Sequence, residues 1–95
     1  MAVVRWTDEA CRDLDDILAY TEQHDPLAAI DLVEAIVASG DALRTFPLRN
    51  PVRHAGNLRE RPILGTRYIL IYRVEAGDMV FILAVRHGAR ADRAP

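Results

Sequence analysis

Hydrophobic and polar positions change period twice along this chain. Tyr68, Leu70, Tyr72 and Val74 alternate with Arg67, Ile69, Ile71 and Arg73, the two-residue period of a strand. Met79 to Val85 is apolar without a break, the pattern of a central strand covered on both faces. Glu75-Ala76-Gly77-Asp78 lies between these runs and predicts a turn, so residues 65–90 form one long β-hairpin. Its outgoing strand ends in Arg86 and His87.

The first half follows the helical period. Val3, Val4 and Trp6 predict a short first strand. Thr7 caps a helix that runs to about His24, with Asp8 and Glu9 in its first turn, where acids complement the macrodipole. Its core face is Ala10, Leu14, Ile17, Leu18 and Thr21, with Cys11 at the edge, read as a small buried hydrophobe. Asp25-Pro26 breaks this helix and starts a second, which is expected to bury Ala29, Ile30, Val33, Ile36, Val37 and Leu43. Gly40 falls on the same face and permits close backbone approach. Pro47 ends the helix, and Leu48 to Gly56 is expected to be a basic loop. Leu58 to Ile63 is a further strand, with Arg59 and Arg61 on one side, Leu58 and Glu60 on the other, and Pro62 at an edge or an end. The order β-α-α-β-β-β predicts an α+β fold, a helical hairpin packed on one face of a mainly antiparallel four-stranded sheet. The other face stays partly open and is expected to gather Arg59, Arg61 and Arg86 for a macromolecular partner.

Charge sharpens this picture. Residues 1–43 hold ten acids and two arginines, whereas residues 44–95 hold ten arginines and four acids. The second half therefore suits an anionic partner, nucleic acid or acidic protein, unless its arginines neutralise the helix acids within the fold. All twelve basic residues are arginine, so lysine acid/base chemistry is excluded.

The length of 95 residues predicts a single domain, 1–95, with a modest core for which an obligate partner is a natural stabiliser. No run has the apolar length of a membrane span and the N-terminus does not read as a signal peptide. One cysteine rules out an internal disulfide, so a cytoplasmic location is expected. No group of His, Cys and carboxylates has metal-ligand spacing, and no metal or cofactor is expected.

His87 has two roles open to it: a general acid/base titrating near neutrality, or a structural histidine ending the last strand. Arg59, Arg61 and Arg86 can clamp phosphate or carboxylate, or pair with helix acids. Tyr68, Tyr72 and Trp6 read as core, and His24 and His54 as loop histidines.

Several of these pieces, in order, resemble the RelE/ParE toxins of bacterial type II toxin–antitoxin systems. The resemblance rests on Trp6, the Ala10, Leu14, Ile17, Tyr20 helix face, Pro26-x-x-Ala29 and Leu43-x-x-Phe46-Pro47. It continues through Arg59-Glu60-Arg61, Tyr68-x-x-x-Tyr72-Arg73-Val74 and Ile82-Leu83-x-Val85-x-His87-Gly88-x-Arg90. It implies an antitoxin partner whose C-terminal segment wraps the toxin and which alone contacts operator DNA. Two branches follow from it. ParE-type members inhibit DNA gyrase by binding, and RelE-type members cut mRNA in the ribosomal A site. The RelE pattern uses sheet lysines and arginines with a C-terminal tyrosine or histidine. Here there is no lysine, no tyrosine follows Tyr72, and Gly88 stands about where a catalytic arginine would be expected. The ParE-like reading is preferred, with Arg59, Arg61, Arg67, Arg86 and Arg90 binding partners. In the RelE-like alternative Arg61 and Arg86 hold the phosphate and His87 is the acid/base. A relative that has lost toxicity and only binds its antitoxin is the third possibility.

Overall fold

The computed structural model describes residues 1–88. Strand β1 (Val3–Trp6) leads into helix α1 (Asp8–Glu22), and helix α2 (Pro26–Asp41) follows after a short turn. Strands β2 (Val52–His54), β3 (Leu58–Pro62), β4 (Tyr68–Glu75) and β5 (Met79–His87) complete one sheet of order β1-β5-β4-β3-β2. β1 runs parallel to β5 and every other neighbouring pair is antiparallel. The α+β arrangement follows the hydrophobic pattern, but the sheet has five strands where four were expected. The added strand is β2, inside the basic loop. Three residues after Pro51 carry no periodicity, so only their pairing with β3 makes them a strand.

The helix starts obey local chemistry. The Thr7 hydroxyl accepts from Ala10 N–H at 3.2 Å, and it donates to the Ile82 carbonyl at 3.0 Å. The start of α1 is thereby bolted to β5 just where β1 stops. Asp25 caps α2 by accepting from Leu27 and Ala28 N–H at 3.2 and 3.1 Å.

The main core lies between the helices and the sheet. It joins Ala10, Ile36 and Leu43 to Leu70, Tyr72, Val80, Ile82 and Val85, with Val4 and Trp6 packed against it. Ile71 pairs with Ala84 and Tyr72 with Ile82, which leaves Leu83 as an unpaired bulge residue. The bulge resets the alternation of β5, so Ile82 and Val85 both reach the same core. Gly77 (φ 78) and Asp78 (φ 59) make the tight connection into β5.

Two expectations about the helices fail. Ile30 and Val37 are 52% and 37% exposed, because α2 buries only the narrow stripe through Ala29, Ile36 and Gly40. The helix is apolar nearly all round, so its pattern does not single out the face that meets the sheet. Cys11 is exposed rather than buried, on the solvent side of the α1 stripe.

Candidate functional site

Strand register decides where the arginines go. Arg59 sits opposite Tyr72 and Arg61 opposite Leu70, and directly opposed residues share a face. Tyr72 and Leu70 belong to the helix-side core, so Arg59 and Arg61 lie on that side too. The Arg59 guanidinium donates to the backbone carbonyls of Leu48 (3.3 Å) and Asn50. Arg61 Nε donates to Ser39 Oγ on α2 at 3.0 Å. Tyr72, fully buried, donates its hydroxyl to the Pro47 carbonyl at 2.7 Å. Burial pushes this phenol above its ordinary pKa, with Arg59 and Arg61 nearby pulling the other way. These contacts strap the segment 47–50 and α2 to the sheet.

Arg86 goes elsewhere. Among the described residues the outer edge of β5 past Trp6 has no strand neighbour, and α1 runs along it. Asp13 accepts from Val85 N–H at 2.9 Å, filling a place that a paired strand would hold. The Arg86 guanidinium turns round this edge to Asp13 (3.2 Å) and to Glu9 (3.0 Å). His87 meets Tyr68 edge to face, ring centroids 5.8 Å apart. A cleft of about 540 Å³ opens here, lined by Asp13, Asp16, Tyr20, Tyr68, Arg86 and His87.

The expected gathering of Arg59, Arg61 and Arg86 on a bare sheet face therefore does not occur. The first two strap the fold on the helix side, and the third is neutralised by helix acids. The opposite face carries a small apolar cluster of Ile69, Ile71 and Ala84, joined by Leu58. Glu60, 8% exposed, lies on this face beside Ile71 and is paired with His54 of β2. His54 is thus a strand residue rather than a loop histidine. Arg67 is exposed and makes no side-chain hydrogen bond among the described residues, and Arg90 lies outside them. Sequence pattern does not mark Glu9, Asp13, Ser39 and Glu60 as partners of these side chains. Their partners are 6 to 77 positions away, and no periodicity reports a contact of that kind.

A family model described as ParE toxin of type II toxin–antitoxin system, parDE, matches residues 4–92. The chain belongs to the ParE toxin family. Toxin RelE2 of Caulobacter vibrioides is 37% identical over 90 residues, covering 95% of this chain and 99% of that protein. Y4kP of Sinorhizobium fredii, also described as a toxin, is 38% identical over 84 residues, covering 88% and 85%. The same fold occurs in the chromosomal ParDE system of P. aeruginosa, with a TM-score of 0.80 at 23% identity over 92% of this chain and 96% of that one. It occurs again in the RelBE2 toxin–antitoxin complex of Mycobacterium tuberculosis, with a TM-score of 0.63 at 27% identity over 90% and 96%. ParE-named and RelE-named proteins both stand among these relatives of the ParE-family chain. Its membership therefore fixes the toxin class without selecting the target.

Proposed function

We propose that this ParE-family chain acts by binding, with DNA gyrase as its target, and that a cognate antitoxin neutralises it. The observation that carries this reading is the state of Arg86. Cutting RNA through the 2′-hydroxyl requires a base, an acid for the leaving oxygen and cations free to meet the phosphate. Arg86 faces two carboxylates instead, at 3.0 and 3.2 Å, and Arg61 is turned to Ser39. A phosphate approaching His87 would meet Asp13 and Asp16. The absence of lysine and of any tyrosine after Tyr72 supports the same choice. The family description and the two toxin–antitoxin assemblies among the structural relatives support an antitoxin partner.

Purified toxin is tested in a gyrase supercoiling assay and, separately, with ribosome-bound mRNA. Loss of supercoiling with intact mRNA is the expected result. Cleaved mRNA overturns the proposal and returns Arg61, Arg86 and His87 to the catalytic role. His87→Ala is expected to keep growth inhibition within a few-fold of wild type, whereas a loss of orders of magnitude refutes action by binding alone.

A further inference from the structure

The acids of α1 on the β5 side recur along one stripe: Glu9, Asp13 and Asp16, then Tyr20, at spacings of four, three and four residues. The first half of that stripe already holds a guanidinium. Arg86 Nη1 donates to both oxygens of Asp13 (3.4 and 3.2 Å) and Nη2 donates to Glu9 at 3.0 Å. The second half faces the cleft without a partner. Asp16 makes no hydrogen bond or ion pair among the described residues, and Tyr20 is 60% exposed. Aromatic rings stand on both sides. Tyr20 of α1 meets His24, just past the helix end, edge to face at 5.1 Å, and Tyr68 meets His87 at 5.8 Å on the sheet.

We propose that this cleft receives an arginine side chain from a protein partner, seated between Asp16 and the rings of Tyr20 and Tyr68, alongside Arg86. Three features select that occupant. Among the described residues that line the cleft, Asp13 and Asp16 outnumber Arg86, so this lining is net negative and disfavours phosphate. A planar guanidinium matches both a carboxylate and an aromatic face, which a compact ammonium does less well. The neighbouring half-site demonstrates the required geometry with the chain's own Arg86. The cleft also has the volume for a long side chain, at about 540 Å³.

The inference deepens the binding reading above by naming the partner's chemistry at one place. Its test is independent of gyrase and ribosome. The full-length toxin, ¹⁵N-labelled, is titrated by NMR with N-acetyl-arginine amide, with its uncharged isostere N-acetyl-citrulline amide, and with inorganic phosphate. The arginine probe is expected to shift the amides around Asp16, Tyr20, Tyr68 and His87 in a saturating way, and the other two are not. Asp16→Asn is expected to weaken the arginine probe by up to about fivefold, the upper end for an exposed ion pair. Asp15→Asn, an exposed acid one position away that does not line the cleft, should leave it unchanged. Equal binding of citrulline, an unaltered affinity in Asp16→Asn, or no saturable arginine shift overturns the arginine site while leaving action by binding intact. Phosphate binding at Arg86 and His87 overturns both together.

Discussion

Gly40 offers the sharpest test of how this fold is packed. It lies buried in α2, inside the helix–sheet layer, with Trp6 of β1 and Ile82 of β5 against it. A Cβ at this position would overlap Trp6 Cζ2, lie 2.8 Å from Ile82 Cδ1 and 3.1 Å from Trp6 Cη2. Gly40→Ala gains about 1 kcal/mol of helix propensity. Forcing a methyl into a packed core costs about 1–3 kcal/mol. The overlap falls chiefly on an indole wedged between two elements, so the upper part of that range applies. The net expectation is a loss of about 1–2 kcal/mol, or roughly 4–8 °C of Tm for each kcal/mol in a domain of this size. A second substitution decides the cause. Trp6→Phe removes the outer indole atoms that the new methyl meets, leaving the Ile82 methyl, which can rotate aside. In that background Gly40→Ala is expected to become neutral or stabilising, by up to about 1 kcal/mol. The double-mutant cycle then shows a coupling of about 1–3 kcal/mol. Urea unfolding followed by far-UV circular dichroism measures all four proteins without depending on tryptophan emission. If Gly40→Ala stabilises the otherwise unchanged chain, or costs the same with and without the indole, the close-approach argument is refuted.

Two further expectations test the contacts that tie the layers together. Tyr72→Phe deprives the Pro47 carbonyl of its donor and should cost about 1 kcal/mol. Because burial raises the phenol's pKa in the folded state, its contribution is complete below the ordinary value of 10.0 and is lost as pH rises through the folded pKa. Wild-type stability should therefore fall above that pH more steeply than that of Tyr72→Phe, and parallel pH profiles would contradict the burial argument. Asp13→Ala leaves the Val85 N–H without its acceptor and should cost about 1–3 kcal/mol, whereas Asp13→Asn, whose amide oxygen can still accept, should cost less. Equal and negligible losses in the two variants, measured by urea unfolding, would show that Asp13 does not close the edge of β5.

Local residue patterns set the elements and their order. Alternation through Tyr68–Val74, the helix-period stripe from Ala10, the Thr7 and Asp25 caps and the Gly77 turn are local signals, each set by one chain segment and its backbone geometry. They were enough to give the layer arrangement, to place Tyr72 in the core and Gly40 against its neighbours, and to support the resemblance that the family match bears out. What depends on register was set by packing across the fold. Whether Arg59 and Arg61 share a face with Leu70 or with Ile71 turns on a one-residue shift in pairing, and no residue in either strand states that shift. The bulge at Leu83 and the early end of β1 expose the edge that Asp13 and Arg86 then close. The acids and arginines were countable from composition. Only the packing of α1 along β5 brought Arg86 onto Glu9 and Asp13 while Asp16 remained facing the cleft, because an ion pair depends on separation in space and the chain's order does not encode that separation.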